Sequence, residues 1–268
     1  MSARGRRREP VYRATIALGK VALRGLDITT RGSGVEHVPA TGPVVLASNH
    51  VSFPDFLFIG QSLLGTHRLV RFMCRHDIWD SPAGRAMDAM RHIPVDRQAP
   101  AAAYLQARTL LGEGEIVCVF PEGGISAAYT VRSLMRGAVA LARETGAPLV
   151  PVTIWGSQRL WGQKRSLDAP FPRPDLTRGR TIDVSFLPPL LVPPEADVAD
   201  TTRKLGGMLW RGLEELQGLP EHRPRPGEYA PWYPAHLGGH ALERGASFEL
   251  DRMPRSAVAP TWGPGLDR

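Results

Sequence analysis

Short apolar runs alternate with helical segments along most of this chain, and the alternation limits the folds it can adopt. The run 115–120 is almost continuously apolar, which is typical of a strand buried on both faces of a parallel sheet. Similar runs occupy 43–48, 69–74 and 148–155. Helix-like segments between such strands place helices on the faces of the sheet. We therefore predict an α/β fold: a single domain with a mixed, mostly parallel sheet flanked by helices.

Turn residues and periodicity give the expected limits of the elements. Predicted strands cover 43–48, 69–74, 91–95, 115–120, 148–155 and 180–187, and predicted helices cover 11–24, 56–64, 80–90, 99–111, 134–145 and 201–217. Segments 26–28 and 35–38 are expected as short connecting strands or loops, punctuated by Gly32 and Gly34. The expected organisation is a basic N-terminal segment with an amphipathic helix (1–34), a main domain (35–217) and a Pro/Gly/Arg-rich, partly ordered C-terminal tail (218–268).

The charge balance favours anionic partners. The 33 Lys and Arg residues exceed the 26 Asp and Glu residues by seven, which suits nucleic acid, a phospholipid surface or a phosphorylated small molecule. The N-terminal helix is cationic through Arg13, Lys20 and Arg24, so it could lie on an anionic bilayer. Packing against the core would explain the same amphipathic pattern.

Two further observations suggest an intracellular protein. No segment approaches the roughly 20 apolar residues of a membrane span, and the N-terminus lacks the apolar core of a signal peptide. Cys74 and Cys118 lie in apolar runs, which favours buried, reduced thiols over a disulfide.

The stretch 49–55 is the strongest candidate for catalysis. It reads as a turn between an apolar strand and a helix, with His50 at the strand end and Asp55 in the first helical turn. The turn folds the chain back, so Asp55 could accept a hydrogen bond from one imidazole nitrogen. The other nitrogen would then be free to act as a base.

Three further stretches lie near strand ends, where open α/β sheets place ligands. Phe120-Pro121-Glu122-Gly123 follows the most apolar strand, and Gly123 allows the backbone to approach a ligand closely. Arg97 follows the strand 91–95 and could grip a phosphate with its planar donors. Val150-Pro151-Val152 could form a pocket wall.

Taken in order, Asn49-His50, Asp55, Arg97, Phe120-Pro121-Glu122-Gly123 and Val150-Pro151-Val152 resemble motifs of the glycerolipid acyltransferases typified by 1-acylglycerol-3-phosphate acyltransferase. The resemblance covers roughly residues 35–190. It implies transfer of a fatty acyl group from an acyl-CoA or acyl carrier protein thioester to a hydroxyl of a lysophosphatidate-like glycerolipid. It also implies a peripheral, cytoplasmic position at the inner face of the cell membrane, with no cofactor, no metal and no nucleic acid.

The same resemblance implies roles for individual residues. His50 would be the general base and Asp55 would hold its imidazole, with no covalent enzyme intermediate. Arg97 would bind the acceptor phosphate, while Glu122 would contact the glycerol-like end or support local structure. The remaining expected acceptor-binding residues are Gly123, Ser126 and Arg136.

The chain departs from the family pattern at one position. The family often continues Phe-Pro-Glu-Gly with Thr-Arg-Ser, whereas this chain has Gly124-Ile125-Ser126. The family's arginine is therefore absent. Arg132 or Arg136 could supply its positive charge, or the acceptor could need less positive charge.

Other functions fit the sequence less well. Ser126 is not in a serine-hydrolase elbow, because Ala128 stands where the second glycine belongs. His236 and His240 have the spacing of helical metal ligands, but the two glycines between them predict a loop. The loop 156–179 mixes aromatic and cationic residues and could meet lipid headgroups or an adenine nucleotide, or be a plain surface excursion. The alternative to an enzyme is a non-catalytic basic protein that binds anionic lipid or nucleic acid.

Overall fold

A single twisted sheet organises the protein, which the computed structural model describes for residues 9–251 and 256–266. Within those residues the sheet has seven strands in the order β1-β7-β6-β2-β5-β3-β4. Neighbouring strands are parallel except for the antiparallel β6–β7 pair. The strands are β1 (Thr29–Ser33), β2 (Val44–Ser48), β3 (Val70–Arg75), β4 (Ile93–Val95), β5 (Ile116–Val119), β6 (Leu149–Trp155) and β7 (Thr181–Phe186). The predicted fold class, mixed and mostly parallel α/β, is confirmed.

Helices flank this sheet, as the sequence predicts. They are α1 (Pro10–Gly25), α2 (Asp55–Ser62), α3 (Gly84–Ala89), α4 (Ala101–Gly112), α5 (Gly137–Thr145), α6 (Gln158–Trp161) and α7 (Val198–Gln217). Every residue of the central strands β2, β5 and β6 is buried. These strands read as continuous apolar runs because helices cover both of their faces.

Asn49 aligns the ends of two central strands. Its side-chain amide donates to the carbonyl oxygen of Ile154 at 3.1 Å and accepts from the Ile154 N–H at 2.8 Å. Asn49 follows β2 directly, and Ile154 lies near the end of β6. The chain segments that leave these two strands therefore emerge side by side at the carboxyl edge.

The first strand differs from the expectation for 26–38. The structure places β1 at Thr29–Ser33, so it includes Gly32, and it places a 3₁₀ turn at Val35–His37. A Cβ atom at Gly32 would lie 3.0 Å from the Cβ of Ser62 at the end of α2. The glycine therefore lets α2 pack closely on the strand, and pairing with β7 overrides the weak strand propensity of glycine.

Tertiary contacts also change several helix limits. The helix predicted over 134–145 begins at Gly137, because Leu134 instead exchanges two backbone hydrogen bonds with Val258. The predicted 80–90 helix is a 3₁₀ turn at His76–Asp80 followed by the short α3. The loop predicted over 156–179 contains α6.

The C-terminal segment packs on the main domain over its described residues, whereas the sequence predicts an extended tail. His222 Nε2 lies 2.6 Å from Asp183 of β7. The Tyr233 hydroxyl donates to the Gln217 carbonyl at 2.9 Å, and Trp262 is buried with its indole N–H donating to Val131. Aromatic burial holds this segment, and its many prolines and glycines mask that signal in the sequence. The limits 1–34, 35–217 and 218–268 stay predictions.

Helix α1 packs with one side and exposes the other. Tyr12 is buried and donates to the Val70 carbonyl at 2.9 Å, and Glu9 pairs with the buried Arg71. On the opposite side Leu18 and Val21 are each 72% exposed. Within residues 9–251 and 256–266, no helix has the length and apolar content needed to cross a membrane.

Cys74 and Cys118 are free thiols, as predicted. Cys118 is fully buried in β5, and burial raises the pKa of Cys74 to about 12. Both thiols therefore behave as packing residues.

His92 makes the stability of the fold depend on pH. Its Nδ1 accepts from the Phe72 N–H at 3.2 Å, and burial, reinforced by the charge of Arg71, lowers the pKa of His92 to about 4. A folded-state pKa below the unfolded value stabilises the fold above pH 6.5, and this contribution is lost as the pH falls towards 4. We expect the wild type to lose about 3 kcal/mol more unfolding free energy than His92→Gln between pH 7 and pH 4. Urea denaturation at both values measures the difference, and equal losses would contradict the assignment.

Candidate active site

His50 and Asp55 meet in the turn that follows β2. The His50 Nδ1 lies 2.8 Å from the Asp55 Oδ2, as the spacing predicts. The imidazole stacks on Phe120 with ring centroids 4.2 Å apart, and its side chain is 18% exposed. Because Asp55 and Phe120 fix the ring, Nε2 is the nitrogen available to an acceptor.

The Asp55 carboxylate is fully buried and is hydrogen-bonded on both oxygens. Oδ2 accepts from the backbone N–H groups of Val51 and Ser52 at 2.8 and 3.0 Å, in addition to its contact with His50. Oδ1 accepts from the Ser157 hydroxyl at 2.5 Å. A buried carboxylate requires such partners. Four hydrogen bonds therefore hold the Asp55 carboxylate beside the imidazole.

Glu122 supports the backbone around the site. Its side chain is 1% exposed, Oε1 accepts from the His50 N–H at 2.8 Å, and Oε2 accepts from the Arg132 N–H at 3.0 Å. Burial raises the pKa of Glu122 to about 8, against the lowering effect of these donors and of the Arg132 charge. Both oxygens are engaged, so the geometry corresponds to the local-structure alternative for Glu122.

Two guanidinium groups approach the backbone at Gly123 and Gly124. Arg97 Nη2 donates to the Gly123 carbonyl at 2.7 Å. A Cβ atom at Gly124 would lie 3.7 Å from that nitrogen and 3.4 Å from Arg132 Nη1. Gly123 has φ 65°, and a Cβ there would also meet Met135 at 3.0 Å. Two cations therefore lie close together beside the turn that contains His50 and Asp55.

Asp251 offsets the charge of Arg132. Its Oδ1 lies 3.1 Å from Arg132 Nη1 and accepts from the Ala127 N–H at 3.2 Å. Both side chains of this ion pair are at most 10% exposed. Arg132, one of the two replacements considered for the missing family arginine, thus lies near the site but is paired with a carboxylate.

Ser126 and Arg136 lie in different surroundings, and their expected roles in acceptor binding stay predictions. Ser126 is buried, its N–H donates to the His50 carbonyl at 3.1 Å, and its hydroxyl accepts from Thr130. Arg136 is exposed immediately before α5, within electrostatic range of Asp197 at the start of α7.

Sequence reasoning missed Ser157 and Asp251. Ser157 lies 102 positions from Asp55, and Asp251 lies 119 positions from Arg132. The one available signal for Ser157 is its place just beyond the end of β6, at the ligand-binding edge of the sheet. Nothing in the Pro/Gly-rich C-terminal sequence marks Asp251.

Aromatic side chains of the 156–179 segment contact Phe53, in the turn between His50 and Asp55. Phe53 lies 5.2 Å from Trp161 and 5.1 Å from Phe171 between ring centroids. Phe171 remains 54% exposed. The segment ends beside α1, where the Gly179 N–H donates to the Leu26 carbonyl at 3.2 Å.

An apolar groove runs between α1 and α2. Its lining includes side chains of α1, α2 and β3, among them Ile16, Leu23, Phe56, Leu57 and Phe72. Two of these lining residues, Phe56 and Leu57, follow Asp55 directly in α2.

The described residues contain no group of three or more His, Cys, Asp or Glu side chains that could hold a metal ion. His240 Nδ1 accepts from the Ala230 N–H, and His236 packs against Trp210. The predicted loop at 236–240 is confirmed, with a short 3₁₀ turn at Ala235–Leu237.

Comparison with known proteins agrees with this geometry. A family model described as Acyltransferase matches residues 30–155, which include His50, Asp55, Arg97 and Glu122. Residues 30–155 therefore carry the sequence pattern of the acyltransferase family. The resemblance inferred from the motifs is confirmed.

Curated relatives are identical to this chain at about a third of the aligned residues. The 1-acyl-sn-glycerol-3-phosphate acyltransferase of Bacillus subtilis (strain 168) is 31% identical over 123 residues, which are 45% of this chain and 60% of that protein. The alpha enzyme of Homo sapiens is 32% identical over 146 residues, 53% of this chain and 50% of that protein. The chloroplastic 1-acyl-sn-glycerol-3-phosphate acyltransferase BAT2 of Brassica napus is 31% identical over 132 residues, which are 47% of this chain and 37% of that protein. The chain thus spans about a third to three fifths of these relatives' lengths.

A solved structure shares the fold. The crystal structure of the 1-acyl-sn-glycerophosphate acyltransferase from Thermotoga maritima superposes with a TM-score of 0.61 at 23% sequence identity. The match covers 81% of this chain and 85% of that chain. The sheet and its flanking helices therefore recur in a distant protein.

Replacing Glu122 tests its supporting role. In Glu122→Gln one acceptor oxygen becomes an N–H donor facing a backbone N–H, so we expect a loss of about 1–3 kcal/mol in unfolding free energy. We also expect a lower kcat with an acceptor KM within about twofold of wild type, because the carboxylate holds the His50 backbone.

The matched control for this experiment is Glu144→Gln, at a carboxylate that is 40% exposed and 3.8 Å from Arg108. It should leave stability and kcat unchanged. A raised acceptor KM with unchanged stability in Glu122→Gln would instead assign Glu122 to acceptor binding.

Proposed function

We propose that this protein is an O-acyltransferase that moves a fatty acyl group from an acyl-CoA or acyl carrier protein thioester to a hydroxyl of a lysophosphatidate-like glycerolipid. The observation that carries the proposal is the His50–Asp55 pair, assembled at the carboxyl edge of the sheet within the acyltransferase domain. The names of the relatives supply the substrate class. The thioester is a substrate in this scheme, and no cofactor takes part.

The geometry supports direct transfer with His50 as the base. The His50 Nε2 takes the proton of the acceptor hydroxyl while that oxygen attacks the thioester carbonyl carbon. The C–S bond breaks, and the imidazolium returns the proton to the leaving thiolate. Asp55 stabilises the imidazolium and fixes which ring nitrogen faces the acceptor, a contribution that is typically ~10²- to 10⁴-fold for a positioned base.

The acceptor phosphate would bind at the Arg97 side of the site. Arg97 is exposed, and one guanidinium nitrogen already lies 2.7 Å from the Gly123 carbonyl. Burial, together with the charges of Arg75 and Arg132, lowers the pKa of Arg97. A bound phosphate would relieve this repulsion between cations.

The acyl chain would lie in the groove between α1 and α2. Its lining is predominantly apolar, and burial of each methylene contributes ~0.8 kcal/mol. Phe56 and Leu57 of its lining follow Asp55 directly in α2, so a chain lying there would extend from the region of the catalytic pair.

The exposed face of α1 would hold the protein on an anionic membrane surface, where the acceptor lipid resides. Leu18 and Val21 project from this face, and Arg13, Lys20 and Arg24 are exposed on the same helix. Apolar insertion combined with cationic attraction is the usual basis of interfacial helix binding. This arrangement supports the proposed peripheral position at the inner face of the cell membrane.

Replacing the base tests the reaction. Thioester consumption with a lysophosphatidate acceptor should fall at least about 100-fold in His50→Ala and in Asp55→Asn, because each loses the oriented base. The control His67→Asn removes an exposed histidine whose φ is 57°, a conformation that asparagine tolerates. It should retain the wild-type rate. A wild-type rate in His50→Ala would rule out this mechanism.

Membrane binding is tested without deleting α1, which also packs on the core. In Leu18→Ser/Val21→Ser, sedimentation with vesicles rich in anionic phospholipid should weaken by about tenfold or more, because two apolar side chains no longer insert. Leu191→Ser removes an apolar side chain that is 79% exposed elsewhere and should sediment like wild type. Equal sedimentation of both variants would contradict a membrane contact through α1.

A further inference from the structure

We infer that Ser157 is a positioning residue for the catalytic pair: its hydroxyl fixes the plane of the Asp55 carboxylate and thereby the orientation of the His50 imidazole. This inference rests on the proposed function. Ser157 lies outside the turn that contains the pair, directly after β6 and Gly156, and beyond the residues that match the acyltransferase family.

The Asp55 carboxylate needs a partner on each oxygen to keep one orientation. The terminal torsion of an aspartate side chain has a broad energy profile, so hydrogen bonds determine the plane of the group. Oδ2 is shared by His50 Nδ1 and two backbone N–H groups, and Oδ1 is bound by the Ser157 hydroxyl at 2.5 Å. Without that hydroxyl the carboxylate could rotate and exchange its oxygens, moving the acceptor atom away from the imidazole.

Ser157 is itself held rigidly. Its carbonyl accepts from the Ser52 hydroxyl at 2.8 Å and from the Leu160 N–H at 2.9 Å. Gly156, just before it, has φ 101°, and a Cβ there would lie 2.4 Å from the Thr181 carbonyl oxygen. Glycine is therefore required at position 156, because any side chain would clash with the β7 backbone and would disfavour this φ. Packing against β7 and hydrogen bonds from the catalytic turn therefore both set the position of the Ser157 hydroxyl.

The geometry also excludes a nucleophilic role for this serine. Ser157 is fully buried, and its hydroxyl donates to Asp55 rather than to an imidazole. The hydroxyl keeps its proton throughout the reaction. It acts on the rate only through the carboxylate.

Kinetics of Ser157→Ala test the inference. We expect kcat to fall about 10- to 100-fold, the range for losing a hydrogen bond to a charged group, while KM for thioester and acceptor stays within about twofold. Ser157→Cys fills the same space with a weak donor and should show a loss of the same order. The control Thr202→Val removes the hydroxyl of another fully buried side chain, which donates to the Val198 carbonyl within α7 at 2.6 Å, and should keep the wild-type kcat.

A double-mutant cycle separates positioning from general stability. If Ser157 acts through Asp55, adding Ser157→Ala to Asp55→Asn should lower the residual kcat by less than about twofold. The inference would be overturned if the double variant lost kcat by the product of the two single losses. An unchanged kcat in Ser157→Ala, or a raised KM with an unchanged kcat in that variant, would also overturn it. A wild-type rate in Asp55→Asn would instead show that the proposed function is wrong, so the two failures are distinguishable.

Discussion

A buried, ionisable carboxylate at Asp55 is the constraint on which the site depends. Removing such a group from water is costly unless hydrogen bonds replace its hydration. The turn after β2 supplies two backbone N–H groups and an imidazole, and the segment after β6 supplies the Ser157 hydroxyl. These partners meet because Asn49 ties the ends of the two strands together. The central sheet therefore matters to function chiefly through the relative placement of two strand ends.

Buried carboxylates also organise the other side of the site. Glu122 bridges the backbones of His50 and Arg132, and Asp251 pairs with the Arg132 side chain. Arg132 is buried and is compensated by Asp251, whereas Arg97, the other cation near Gly124, is exposed. Asp251 lies in the C-terminal segment, beyond the residues 30–155 that match the acyltransferase family. The segment thus contributes to the electrostatics of a site whose motifs lie elsewhere in the chain.

Local sequence patterns predict the features that depend on local interactions. Continuous apolar runs identify the buried strands, and the spacing of His50 and Asp55 correctly predicts their contact. Features set by distant partners are not predictable in this way. Gly32 is in a strand because that strand pairs with β7, and Leu134 leaves its predicted helix to pair with Val258. Ser157 and Asp251 act across more than 100 positions, so no spacing rule could assign them.

The central claim is direct acyl transfer by an oriented histidine base, and mass spectrometry tests it most directly. The purified protein is incubated with an acyl-CoA and lysophosphatidate, and the molecular masses of the lipids and of the intact protein are measured. The account predicts a lipid product heavier by one acyl group, an equal amount of free CoA, and a protein of unchanged mass. An acyl adduct on the protein, or a thioester that remains intact in the presence of the acceptor, would contradict it.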